Sequence, residues 1–288
     1  MVWYTRCVTP PDHFPHFHPL RSALRRSDQD LEFLARDELR AIRLQLDWLK
    51  PELIQQAEGI ASTIVVFGSS RLPELGQAQK QLHVAQATLA EDPHDADRQR
   101  QVKIAQSQVA LARYYDEARE FSQLVSSTCQ VENRCEYVIV TGGGSGIMEA
   151  ANRGAHDVGA KSIGLNIALP HEQVPNAYIT PSLCFEFRYF ALRKMHFLYR
   201  ATALVAFSGG YGTLDELFET LTLIQTGKVK GVVVVLVGRD FWQQLINWPM
   251  LVETGLISAE DLQLFHFAET AQEVWDIILA NHSKADPS

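Results

Sequence analysis

Three short apolar runs, each ending in a turn of small residues, most constrain what this chain can fold into. Residues 63–67 (TIVVF) end in Gly68-Ser69-Ser70-Arg71. Residues 137–141 (YVIVT) end in Gly142-Gly143-Gly144-Ser145-Gly146. Residues 203–207 (ALVAF) end in Ser208-Gly209-Gly210-Tyr211-Gly212-Thr213. A continuous β-branched run of this length, bounded by breakers, reads as a strand buried on both faces. Further runs at 162–165, 183–187, 232–237 and 265–267 extend the pattern, with helical segments between them. Strands alternating with helices give an α/β fold: a parallel sheet with helices on both faces. All three small-residue turns then fall at the carboxyl edge of the sheet, where such folds hold ligands. For the Gly68 turn alone, a plain tight turn is the competing reading.

The third turn carries the most chemistry. A glycine turn feeding a helix brings unpaired backbone N–H groups and the positive end of the helix dipole to one point, which suits a phosphate. Asp215, Glu216 and Glu219 follow within two turns of that helix. A phosphate cradle beside an acid suits chemistry on a sugar phosphate. An acid in a first turn can also serve only the dipole. The second turn reads GGGSG with no acid at the spacing a dinucleotide motif requires, so its glycines point to close backbone approach rather than to a dinucleotide.

The flanking segments suggest three parts. Residues 1–60 read as an irregular and then helical arm covering the sheet or a partner subunit, with Pro51 kinking its helix or starting a second. Residues 61–282 read as the α/β domain, with 76–127 an inserted helical hairpin broken at Pro93, and 283–288 as a frayed tail. His13, His16 and His18 lie close in sequence, but only Asp12 accompanies them; a proline-rich surface arm is favoured there over a metal site. The loop 166–181, with His171, Glu172 and Asn176, sits where it can close over a ligand.

Bulk properties narrow the partners. The net charge of −8 argues against a basic nucleic-acid footprint. Cys7, Cys129, Cys135 and Cys184 include no CxxC pair, so neither a zinc site nor a disulfide framework is indicated, and thiols in a reducing cytosol are expected. No signal-peptide pattern opens the chain, and no apolar run approaches the roughly 18 residues of a membrane span. A cytoplasmic protein with no membrane partner is the expectation.

Arg193-Lys194 followed by Ser208-Gly209-Gly210-Tyr211-Gly212-Thr213-Leu214-Asp215-Glu216 resembles the signature of the LOG (Lonely Guy) family, an Arg-Lys pair followed by PGGxGTxxE. Gly142 to Glu149, GGGSGIME, resembles the family's other glycine motif, and the likeness runs over roughly residues 60–282. The family is often labelled lysine decarboxylase. Its characterised members are phosphoribohydrolases that cleave cytokinin nucleotides or AMP to free base and ribose 5-phosphate. The resemblance implies a Rossmann-like, doubly wound form of the parallel sheet, a nucleoside monophosphate substrate, a homodimer or higher homo-oligomer, and no cofactor. It places the motif glutamate on Glu216 and a second catalytic residue on Arg193. Gly209, Gly210, Gly212 and Thr213 would hold the 5′-phosphate. Gly143, Gly144 and Glu149 would line the ribose side, and Gly68, Ser69 and Met195 the remaining wall. Lys194 is read as an ion-pair or packing residue; a pyridoxal-phosphate lysine is disfavoured, because no independent cofactor motif accompanies it.

Two departures stand out. Ser208 occupies the motif's proline position, and the arm and the 76–127 helices exceed the minimal plant-type enzymes. A nucleotide or phosphorylated-ligand carrier on the same fold, as in the related molybdenum-cofactor carriers, is the main alternative; a helical scaffold is the third. A carrier has no need of both Arg193 and Glu216.

Overall fold

A computed structural model describes residues 24–130, 135–168 and 174–285. The histidines at 13, 16 and 18, and His171 and Glu172, lie outside the described residues. The chain divides into two compact units, residues 1–46 and 47–288. In the first, helix α1 (Leu31–Leu34) is capped by Asp30, which accepts from Phe33 N, and Arg43 Nη1 donates to Leu34 O. Helix α2 (Arg40–Ala57) runs without interruption through Pro51, so the proline neither ends it nor starts another.

The second unit contains a seven-stranded, wholly parallel sheet in the order β4-β3-β2-β1-β5-β6-β7. Its strands are β1 (Thr63–Phe67), β2 (Val138–Thr141), β3 (Ser162–Ile167), β4 (Cys184–Phe187), β5 (Ala201–Ala206), β6 (Val233–Val237) and β7 (Phe265–Ala268). The sequence periodicity finds every one of them. Strand order reverses at β1: the chain winds outward through β2 to β4, then returns to β5 and winds the other way. Ile64 pairs with Ile139 of β2 and with Ala203 of β5, so the ends of β1, β2 and β5 lie level and their turns emerge together.

Alternation along the strands makes two apolar layers. On one face, Ile64, Val66, Ile139, Val205 and Val235 pack against α5 (Arg113–Cys129), α6 (Ile147–Asp157) and α11 (Ala271–Ala285). On the other, Val65, Phe67, Val140, Leu165 and Leu204 pack against α7 (Phe190–Tyr199), α8 (Tyr211–Gln225), α9 (Arg239–Leu245) and α10 (Trp248–Glu253). Side chains of period two covered on both faces are what the continuous valine-rich runs require. Trp242 and Trp248 are buried in the second layer.

The segment expected as a helical hairpin is three helices. α3 (Leu75–Glu91) and α4 (Ala96–Leu111) pair as an antiparallel hairpin across the Pro93 turn, with Asp95 capping α4. The insertion ends there. α5 begins after a break at Ala112 and is a sheet-covering helix, with Tyr114, Tyr115, Ala118, Phe121 and Val125 buried. Neither glycine nor proline marks that break, so composition hides it. The last helix also continues to Ala285, into the segment expected as a tail.

Candidate active site

The three turns interlock where the strand order reverses. Ser69 N donates to Ser208 O at 2.9 Å, tying the first turn to the third, and Ile147 N donates to Ser69 O at 3.1 Å, tying it to the second. Gly146 has φ +68°, and a Cβ there would stand 2.3 Å from Ser69 O, so only glycine admits this approach. Ser145 Oγ donates to Ser70 O at 2.8 Å and completes the lock.

A cleft of about 730 Å³ opens among these turns, α7 and α8. Gly68, Ser69, Gly209, Gly210, Gly212 and Thr213 line it, together with Arg193 and Glu216. Gly210 caps α8 without a side-chain hydrogen bond, so the first-turn amides of that helix border the cleft without a side-chain partner among the described residues. A Cβ on Gly209 would lie 2.1 Å from Thr213 Oγ1, so the turn passes its own helix too closely for a side chain.

Glu216 is 8% exposed. Asp215 and Glu219 share the neighbouring stripe of α8, and Lys194 Nζ bridges them at 2.8 and 2.9 Å. Although burial pulls the Lys194 ammonium down, its hydrogen bonds to these two carboxylates hold it up at about 12. That pairing leaves Glu216, one residue on and about 100° round the helix, facing the cleft without an ion pair to a described residue. Burial pushes its carboxyl up to about 7, with Lys194 and Arg193 pulling the other way.

Arg193 is set by its surroundings. Its Nε donates to Leu165 O at 2.7 Å, and its guanidinium lies over the Phe197 ring at 5.1 Å. A Cβ on Gly142 would stand 2.6 Å from Arg193 Nη2, so the first glycine of the second turn makes the space the guanidinium occupies. Burial lowers the Arg193 pKa and nearby Glu216 raises it.

Other expected residues fall elsewhere. Gly143 does not line the cleft: with φ +76°, its absent side chain makes room for Asn166 Oδ1 beneath the turn. The carbonyls of Gly143 and Gly144 accept from Asn176 Nδ2 at 3.2 and 3.0 Å. Glu149 borders a second cleft of about 410 Å³ on the far side of Gly146 and accepts from Tyr115 Oη at 3.3 Å. Met195 is 54% exposed on α7, in a separate groove with Trp48 and Tyr199, because it lies two residues past Arg193 and so on another face.

Sequence reasoning missed the supports. Thr141 Oγ1 donates to Asn152 Oδ1 at 2.7 Å and accepts from Gly143 N at 3.0 Å. Asn152 in turn donates to Ser162 Oγ and accepts from Asn176 Nδ2 at 2.9 Å. This buried network fixes the glycine turn from below, and polar residues in a strand end and a helix interior were its only signal. Ser208, at the motif's proline position, is buried, and its hydroxyl has no hydrogen-bond partner among the described residues. Among the described residues no group of three or more His, Cys, Asp or Glu could hold a metal, and no helix is long and apolar enough to cross a membrane.

Comparison with known proteins agrees with the motif. Residues 148–278 match a family model described as possible lysine decarboxylase, a span that includes Arg193, the third turn and Glu216. The cytokinin riboside 5′-monophosphate phosphoribohydrolase LOG4 of Arabidopsis thaliana is 33% identical over 141 residues, covering 47% of this chain and 64% of that protein. The probable cytokinin riboside 5′-monophosphate phosphoribohydrolase LOGL3 of Oryza sativa subsp. japonica is 31% identical over 147 residues, covering 48% of this chain and 66% of its own length. The match thus spans just under two thirds of these relatives. Among solved structures, the molybdenum cofactor binding protein of Rippkaea orientalis superposes with a TM-score of 0.43 at 18% identity, over 58% of this chain and 86% of that one. The molybdenum cofactor carrier protein of Chlamydomonas reinhardtii gives 0.44 at 17% identity, over 77% and 98%. Arg193 and Glu216 thus face one cleft at the strand reversal of a parallel sheet, in a chain that is similar over about half its length to phosphoribohydrolases of the LOG family.

Proposed function

We propose that the protein is a nucleoside 5′-monophosphate phosphoribohydrolase, hydrolysing the N-glycosidic bond of AMP or a related purine or cytokinin nucleotide to free base and ribose 5-phosphate. One observation carries the reading: a desolvated carboxyl, Glu216, shares a cleft with Arg193 one turn into the helix that starts at the glycine turn.

The chemistry follows from that placement. The phosphate sits against the amides of Gly209, Gly210, Gly212 and Thr213, which anchors the sugar. Cleavage passes through an oxocarbenium-like ribose. The Glu216 carboxylate stabilises that developing charge or takes a proton from the attacking water; a value near neutrality suits a group that must both hold and release a proton. Arg193 holds the departing base or the phosphate with its free guanidinium nitrogens. Phe190, Ile167 and Leu245 give the cleft an apolar side for a planar base. A lysine decarboxylase reading fits less well, since Lys194 is held as an ammonium between Asp215 and Glu219 and does not line the cleft, whereas Schiff-base chemistry needs a neutral amine. The same reading includes a homo-oligomer, for which the exposed Tyr211 and Phe218 beside the cleft offer apolar surface.

Incubating the purified chain with a panel of nucleoside monophosphates and measuring free base and ribose 5-phosphate tests this. Glu216→Ala and Arg193→Ala are expected to abolish base release while AMP still binds. A wild-type chain that binds monophosphates and turns none of them over overturns the reading in favour of a carrier.

A further inference from the structure

We propose that Arg71 is a phosphate-contacting residue of the cleft, supplying the side-chain positive charge for the phosphoryl group at turn 209–212, and that the α3–α4 hairpin holds it there. The proposal rests on the nucleotide reading above and extends it to a residue outside the family motifs. A phosphate monoester carries a charge of about −1.5 to −2 at neutral pH. The glycine turn opposes it with backbone amides and a dipole end equivalent to roughly half a charge.

Of the other nearby cations, two are ion-paired and the third is partly engaged. Lys194 is held by Asp215 and Glu219. Arg153 pairs with Glu74 at 3.3 Å. Arg193 spends its Nε on Leu165 O and stands beside Glu216. Arg71 lines the cleft, is exposed, and its guanidinium has no hydrogen bond or ion pair to a described residue.

Its backbone is pinned while its tip is unpartnered. Arg71 N donates to Ser69 Oγ at 3.1 Å, and the preceding carbonyl, Ser70 O, accepts from Ser145 Oγ. Leu72, next in the chain, is buried in the core. From α4, Gln108 Nε2 donates to Arg71 O at 3.3 Å, so the insertion reaches back to the turn that carries the arginine. Arg71 also borders the second cleft, where Glu74 and Glu149 present carboxylates, so an anion in the main cleft draws the guanidinium from one side of a shared wall to the other. A fixed root with a long, charged, unpartnered tip is suited to closing on an anion by charge-assisted hydrogen bonds.

Calorimetric titration of the full chain with ribose 5-phosphate, AMP and adenosine tests this. In Arg71→Gln the affinity for ribose 5-phosphate and AMP is expected to fall roughly 10- to 100-fold, with adenosine unchanged, and Arg71→Lys to fall between. The salt dependence of ribose 5-phosphate binding is expected to flatten in Arg71→Gln. Gln108→Ala is expected to weaken ribose 5-phosphate binding by a few fold, and to cause no further loss when added to Arg71→Gln. Equal affinity for AMP in wild type and Arg71→Gln, or equal loss for AMP and adenosine, overturns the phosphate contact. Additive losses in the double variant overturn the part assigned to the hairpin. The readout is binding, so a wild-type chain that holds AMP without releasing base refutes the hydrolase reading alone.

Discussion

Glu216 is unfavourably placed for stability and usefully placed for chemistry. Burial holds its folded pKa at about 7, above the 4.5 of an ordinary glutamate. The folded state therefore keeps a proton that the unfolded state releases. Below about pH 4 both states are protonated and the group contributes nothing. As pH rises from about 4.5 to about 7, stability falls, and it levels off above. Glu216→Gln removes this cost, so it is expected to raise the unfolding free energy at pH 8 by about 2–3 kcal/mol and to change it little at pH 4. Urea unfolding at the two pH values checks it, and an equal gain at both would show that desolvation of the charge is not the cause. If the ionised form acts, kcat/KM for AMP is expected to fall about tenfold per pH unit below roughly 7, a limb that is absent if the acid serves only the dipole. The glutamate was legible from its motif alone. Its environment was not, because the ion pairs that engage Asp215 and Glu219 require Lys194, which comes from another helix.

Elements were legible in proportion to how strongly their own residues marked their ends. All seven strands announced themselves by short apolar runs. The glycine turns did so too, although which glycine faces the cleft depended on what lay opposite: Gly142 lies under Arg193 and Gly143 over Asn166. The boundary between α4 and α5 had no such mark. Its evidence was periodic, since Tyr114, Ala118, Phe121 and Val125 recur at helical spacing on one buried face while α4 buries only Val102 and Ala105. The two helices should accordingly respond differently to truncation. Phe121→Ala, at a fully buried position against the sheet, is expected to cost about 3–5 kcal/mol. Ile104→Ala, at a position 43% exposed on α4, is expected to stay within about 0.5 kcal/mol. Denaturant midpoints of the two variants compare them directly, and similar costs would mean that α4 shares the sheet's core.

At the scale of the molecule, the cleft exists only when the sheet is complete. β1, β2 and β5 contribute one turn each, and these are separated in sequence by the hairpin and by two further strands. The unfolded chain cannot bring the turns together, so a ligand held by them binds the native state alone. Ribose 5-phosphate at 100 times its dissociation constant is then expected to stabilise the protein by about 2.7 kcal/mol. For a chain of this size that raises the melting temperature by roughly 5–10 °C. The effect should depend on the third turn and not on glycine content. Gly209→Ala forces a Cβ to within 2.1 Å of Thr213 Oγ1 and must displace the first turn of α8, so the ligand-induced shift should vanish. Gly76→Ala, within α3 and with open space where its Cβ would go, should keep the full shift and raise the unliganded melting temperature slightly. Differential scanning fluorimetry across the wild type and both variants separates these outcomes. A shift that survives Gly209→Ala would move the proposed anion site away from the start of α8, and with it the geometry that the proposed hydrolysis requires of Glu216.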